Sequence, residues 1–243
     1  MQNEKSRTAL VFGGSRGIGA AAVERLAREG FAVAFTYVSR PDAAEALVGK
    51  LTAAGGAALA IQADSADPAA IRAAVEQVVA HFGGLDAVVV NAGILRMGPI
   101  ETVSLEELDQ MLAINVRGVF LAIQAAAAHL PEGGRIITIG SNTAVRTGHP
   151  GTSVYQFTKA AVAAMVKGIA LDLAPRGITV NNVQPGPIDT DMNAGAIEML
   201  AGKSPMRRVG SPAEIAGLIA YLAGPEAGYM TGESITIDGG WVL

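Results

Sequence analysis

Short apolar or β-branched runs alternate along this whole chain with longer segments of helical period, and few folds satisfy such a pattern. Residues 9–12, 32–36, 57–61, 87–90, 135–139, 178–183 and 234–237 read as strands. Residues 17–29, 42–54, 68–82, 105–129, 152–174 and 212–222 read as helices between them. Ser104 with Glu107, and Ser211-Pro212 with Glu214, carry helix-start patterns, while Pro175, Gly177 and the pairs Gly55-Gly56 and Gly83-Gly84 punctuate helix ends. Strict alternation implies right-handed crossovers. The expected fold is therefore α/β, a doubly wound parallel sheet of about seven strands with helices on both faces. No linker interrupts the pattern, so residues 1–243 are expected to form one domain, with an irregular, Pro- and Met-containing stretch at 187–210 as a substrate lid.

Composition removes several classes of function. A formal net charge of −4 without any Lys/Arg run lacks the footprint of a nucleic-acid binder. The absence of cysteine excludes thiolate nucleophiles, disulfides and cysteine metal sites. His81, His129 and His149 have no metal-ligand spacing, so no metal is expected. Met1 to Thr8 is polar and carries no signal-peptide pattern, and no uncharged apolar stretch reaches about 18 residues. A cytoplasmic protein with no membrane or nucleic-acid partner is expected.

Chemistry concentrates where strands end. Phe12-Gly13-Gly14-Ser15-Arg16-Gly17-Ile18-Gly19 follows the first strand and opens the first helix. Glycines there let a backbone turn close to a phosphate, and the helix start supplies unpaired amides and a favourable dipole. Past the second strand, Tyr37-Val38-Ser39-Arg40 lies where NAD sites carry an acid, yet no Asp or Glu occurs between Glu29 and Asp42. Arg16, Ser39 and Arg40 could instead hold a 2′-phosphate, so NADP(H) is the expected coenzyme.

Ser141 follows the fifth strand, with Tyr155 and Lys159 fourteen and eighteen residues later on one helix face. Tyr37, Tyr221 and Tyr229 have Pro41, Pro225 and Glu233 four residues on, so only Tyr155 has a lysine partner at that spacing. Reducing a ketone requires a proton on the developing alkoxide as hydride arrives from a nicotinamide. A phenol can give that proton, and a neighbouring ammonium would be expected to lower its pKa.

The Gly-x-x-x-Gly-x-Gly spacing and this Ser/Tyr/Lys order resemble the short-chain dehydrogenase/reductase family over nearly the whole chain, which implies a Rossmann fold. The chain departs at Phe12, where the family usually carries Thr with a hydrogen bond in that turn. The resemblance implies a tetrad of Asn115, Ser141, Tyr155 and Lys159. In it Ser141 bonds the carbonyl oxygen, Lys159 also grips the nicotinamide ribose, and Asn115 holds a relay water. It also implies coenzyme contacts at Asp64-Ser65, at Asn91-Ala92-Gly93, and at Pro185, Gly186, Ile188 and Thr190, and a structural role for Asp238-Gly239-Gly240. The implied activity is carbonyl reduction of a small-molecule ketone, reversibly to an alcohol, and the implied assembly is a homotetramer. The helical segments 121–128 and 160–166 are apolar nearly all round, which independently suggests a buried interface. Leu95, Met97, Asn142, Val145, His149 and residues 192–200 are expected to face substrate. Two alternatives are a fatty-acid-type 3-oxoacyl-thioester reductase, which the resemblance implies would carry a basic residue at the turn ahead of the fifth strand to meet an acidic carrier where this chain has His129-Leu130-Pro131-Glu132-Gly133-Gly134, and a non-catalytic nucleotide or cyclic-dinucleotide binder.

Overall fold

A computed structural model describes residues 6–243; the first five residues of the polar N-terminal segment lie outside the described residues. Seven parallel strands form one sheet: β1 (Thr8–Phe12), β2 (Ala32–Tyr37), β3 (Ala58–Gln62), β4 (Ala87–Val90), β5 (Arg135–Ile139), β6 (Thr179–Pro185) and β7 (Ser234–Ile237). Their order is β3-β2-β1-β4-β5-β6-β7, so the chain reverses its direction of sheet growth between β1 and β4. In open α/β sheets that switch point, at the carboxyl ends of the strands, is where ligands bind.

The helices are α1 (Gly17–Arg28), α2 (Pro41–Ala53), α3 (Pro68–Phe82), α4 (Leu105–Leu112), α5 (Val119–Ala127), α6 (Ser153–Leu173), α7 (Ile197–Lys203) and α8 (Pro212–Ala223). The central strands are buried on both faces and the edge strands β3 and β7 only partly, and the residues of each strand alternate between two cores. On one side Leu10, Phe12 and Val88 pack with Ile71, Val75, Ile123, Val162 and Val166 of α3, α5 and α6. On the other, Ala9, Val11 and Phe35 pack with Val23, Leu26, Leu47, Ile215 and Ile219 of α1, α2 and α8. Both capping boxes form, with the Ser104 and Ser211 hydroxyls accepting from the Glu107 and Glu214 amides.

Two regions differ from the sequence expectation. The helix expected over 105–129 is α4 and α5 joined by a π-helical turn at Ala113–Gly118. Tertiary contacts set this turn. Asn115 faces inward to bond the Ile94 backbone, and a Cβ on Gly118 would lie 2.2 Å from the Ser65 carbonyl oxygen. By length and composition the run Leu105–Ala127 could cross a membrane. Its Val119, Ala122, Ile123 and Ala126 instead pack into the core against the sheet. The expected lid is also more regular than its composition suggested, since it contains a 3-10 turn at Asp191–Asn193 and the helix α7.

Candidate active site

The glycine-rich turn is fastened to both neighbouring strands. The Gly13 and Gly14 amides donate to the Thr36 hydroxyl and carbonyl, each at 2.9 Å. Asn91 Nδ2 donates to the Gly13 carbonyl at 2.7 Å. The turn is tight enough that a Cβ on Gly19 would lie 2.0 Å from that same carbonyl oxygen, so only glycine fits. The hydroxyl that Phe12 cannot supply thus reaches this turn from Thr36 on β2, a residue for which the sequence carries no signal beyond its place at a strand end. Arg16 precedes α1 in extended conformation and makes no side-chain cap, which leaves the first amides of α1 open to an anion.

A cleft of about 680 Å³ opens above this turn at the switch point. Of the residues expected to contact coenzyme, Gly13, Ser15, Arg16, Gly17, Ile18, Tyr37, Ser39, Arg40, Asp64, Ser65, Asn91, Ala92, Gly93 and Thr190 line it. Leu95, Arg96, Gln110 of α4, Ile114 of the π turn and Met192 add to the wall, and Gln110 and Ile114 escaped the sequence reading. No carboxylate lines the cleft at the end of β2. Arg16 pairs with Asp191, and Arg40 with Asp42, each at 3.5 Å and more than half exposed. The Asp42 carboxyl lies below the usual range because the Ala43 amide, and then Arg40, bond its charged form. Loose, exposed pairs of this kind are worth little, so both guanidinium groups can turn to a phosphate. Gly19, Tyr155, Lys159, Pro185, Gly186 and Ile188 do not line the cleft. Pro185 belongs to β6, Gly186 abuts Asp238, and the Ile188 side chain is buried in the core.

None of the four expected catalytic side chains lines the cleft itself; Asn115 and Lys159 lie directly behind its Gly93 wall, and Tyr155 and Ser141 adjoin them. Asn115, in the π turn, accepts from the Ile94 amide at 2.9 Å and donates to the Ile94 carbonyl at 2.8 Å and to Thr158 Oγ1 at 3.3 Å. Thr158 in turn donates to the Tyr155 carbonyl, which ties the π turn to the start of α6. Lys159 is buried, and its Nζ donates to the Ile139 carbonyl at 2.9 Å. It lies 5.7 Å from the centre of the Tyr155 ring. A Cβ on Gly93 would lie 3.3 Å from Asn115 Oδ1 and 3.4 Å from Lys159 Nζ, so these groups reach the cleft wall. The Ser141 hydroxyl accepts from Thr143 N and Thr143 Oγ1 and lies near enough to the Tyr155 phenol to favour its ionised form.

One electrostatic expectation is corrected. Lys159 does not lower the Tyr155 pKa in the ligand-free protein. Burial dominates: although Tyr155 keeps some surface exposed, its phenol is deep enough to be pushed up to about 12, with the Ser141 hydroxyl opposing part of the rise. The same burial pushes Lys159 down to about 8. At neutral pH the phenol is therefore protonated and the ammonium still charged.

Among the expected substrate-facing residues, Met97, Val145 and Met192 are more than half exposed. Asn142 is not one of them; it is buried and donates to Asp238. His149 is partly buried, and its carbonyl accepts from Thr152. Among the described residues, no group of His, Asp and Glu side chains is placed to hold a metal.

A family model described as "Enoyl-(Acyl carrier protein) reductase" matches residues 13–242. A short-chain dehydrogenase/reductase from Serratia marcescens is 55% identical and superimposes with a TM-score of 0.95, covering 98% of each chain. A short-chain dehydrogenase from Burkholderia cenocepacia, solved in complex with NADP, is 47% identical with a TM-score of 0.95, covering 99% of this chain and all of the other. A cyclic-di-GMP-binding biofilm dispersal mediator protein of Escherichia coli is 44% identical over 236 residues, which is 96% of either protein.

Proposed function

Because the chain belongs to the short-chain dehydrogenase/reductase family, we propose that its cleft performs NADPH-dependent reduction of a ketone to a secondary alcohol through Asn115, Ser141, Tyr155 and Lys159. The observation that carries this reading is the grouping of Tyr155, the buried Lys159 and Ser141 behind the Gly93 wall of a cleft that the glycine-rich turn lines.

The residues present fit NADP(H). The uncapped start of α1 and the Gly13–Gly19 turn suit a pyrophosphate, and Asp64-Ser65 and Asn91-Ala92-Gly93 line the path between the ends of the cleft. Ser39, Arg16 and Arg40 suit a 2′-phosphate, with no carboxylate beside Tyr37 to repel it. Bound NADPH supplies the hydride that the carbonyl carbon accepts, and is oxidised to NADP+. Ser141 directs its hydroxyl to the carbonyl oxygen. Tyr155 gives its phenolic proton to that oxygen as the alkoxide develops, which makes the phenol a general acid and leaves a phenolate. The Lys159 ammonium, 5.7 Å from the centre of the Tyr155 ring, stabilises the phenolate electrostatically, and Asn115, held between Ile94 and Thr158, takes the role of holding a relay water through which the phenolate is reprotonated. The carboxyl-end loops bearing Met97, Val145 and Met192 suit an apolar ketone, with 187–210 as its lid.

The proposal extends to a cytoplasmic carbonyl reductase that assembles as a homotetramer. The exposed Phe120 of α5 and Phe157 and Leu171 of α6 support an interface on the helix face away from the sheet. The testing experiment follows NADPH and NADH oxidation against a panel of ketones. Turnover with NADPH preferred supports the reading. Failure with every ketone, together with tight binding of cyclic di-GMP, would replace it with a ligand-binding role like that in the name of the Escherichia coli relative.

A further inference from the structure

The segment Asp238-Gly239-Gly240 takes no part in the chemistry above, yet its carboxylate lies where three segments meet. β7 ends at Ile237 beside Pro185 of β6, so Asp238 is the first residue past the sheet at the carboxyl ends of the strands. Its Oδ2 accepts from Asn142 Nδ2 at 3.2 Å and from Val242 N at 3.1 Å, and its Oδ1 accepts from Gly240 N at 3.0 Å. Asn142 directly follows Ser141, is buried, and occupies the middle of the turn that Thr143 closes onto the Ser141 hydroxyl. On the opposite flank, the Gly186 amide donates to the Ile237 carbonyl at 3.0 Å. Gly186 leaves no space there: a Cβ on it would lie 2.5 Å from Asp238 Cβ and 2.7 Å from its Cα. Asp238 is thus bonded through its carboxylate to the turn carrying Ser141, while its Cα and Cβ sit against Gly186 in the turn that follows β6.

We propose that Asp238 is a positioning residue for carbonyl reduction, setting the Ser141 hydroxyl relative to the Gly186 turn and so the orientation in which a ketone is held. This rests on the reading of Ser141 as the group that bonds the carbonyl. Two of the three bonds accepted by Asp238 close its own turn, so the anchor is rigid, and bonds to a carboxylate are about twice as strong as neutral ones. A catalytic hydroxyl must be held to within about 0.5 Å of its productive place, and a change on the order of 1 Å is costly to rate and to facial selectivity alike. Asn142 is the link through which Asp238 acts.

The test uses Asp238→Asn, which keeps the shape and removes the charge, and Asn142→Ala, which removes one bond and leaves both bonds of the Asp238 turn intact. The second variant keeps the question answerable if the first does not fold. The measurements are NADPH dissociation constant, kcat with a prochiral ketone that the parent reduces, the enantiomeric ratio of the alcohol, and melting temperature. The expected result is NADPH binding within about 2-fold of the parent, kcat lower by about 10-fold in each variant, and an eroded enantiomeric ratio. The double variant should be no slower than the slower single, since both cut one link. A fall in melting temperature with kcat and enantiomeric ratio unchanged would overturn the proposal, as would losses that multiply in the double variant. A parent that binds NADPH but reduces no ketone would instead overturn the catalytic reading, and this inference with it.

Discussion

Tyr155 and Lys159 share one helix face but respond to burial in opposite directions, which gives each its own pH signature. The Lys159 pKa falls from 10.5 to about 8 on folding. Between those values the unfolded chain binds a proton that the folded chain does not, so stability rises with pH across that window. The Tyr155 pKa rises from 10.0 to about 12. There the folded chain keeps a proton that the unfolded chain loses, so stability falls as pH passes 10. The melting temperature of the ligand-free protein should therefore climb from pH 8 to about 10 and then decline, and Lys159→Met should flatten the climb. A steady parental decline from pH 8 upward would contradict the burial of Lys159. At the other end of the cleft, replacing Arg16 and Arg40 by alanine should raise KM for NADPH by about 10-fold or more and leave NADH little changed. Equal effects on both coenzymes would reject the 2′-phosphate assignment. These residues were legible because type and spacing announce them: a tyrosine with a lysine four residues on, an arginine within the glycine-rich turn, and another past β2 where an acid would otherwise stand. Thr36 and Thr158 were not legible, since a hydroxyl at a strand end or within a helix gains its meaning only from the backbone it meets.

Among the elements, β4, β5, β7 and α3 have the boundaries their sequence patterns predict, and the other strands and α1, α2, α6 and α8 differ by one or two residues at one or both ends. These are runs whose periodicity and end signals agree with their burial. The segment between α4 and α5 escaped the same reading because its apolar period is helical throughout. Its π turn is imposed from outside, by Asn115 bonding the Ile94 backbone and by the Ser65 carbonyl against Gly118. Such turns recur at functional sites, where they re-aim a side chain. Gly118→Ala should force α5 away from Ser65, with a cost on the order of 1–3 kcal/mol. Because Ser65 lines the cleft, NADPH binding should weaken along with the melting temperature. A variant with parental melting temperature and parental NADPH affinity would show that the close approach is not required.

For the whole molecule, the doubly wound sheet brings together on one side residues as distant in sequence as Gly13 and Thr190, and its two cores use the inner faces of the helices. The outer faces of α5 and α6 are mixed, exposing Phe120, Phe157 and Leu171 beside Gln124, Lys167 and Asp172, and the apolar runs 121–128 and 160–166 turn most of their side chains inward. Light scattering at micromolar concentration should give a mass near four times 24.7 kDa. A particle of one chain mass would reject the tetramer without touching the active site. The claim that this cleft reduces ketones with Tyr155 as the acid is tested most directly by Tyr155→Phe. With NADPH and a ketone accepted by the parent, the variant should bind NADPH as the parent does while its turnover falls by about 10²–10⁴-fold. Turnover near the parental value in that variant would contradict the mechanism.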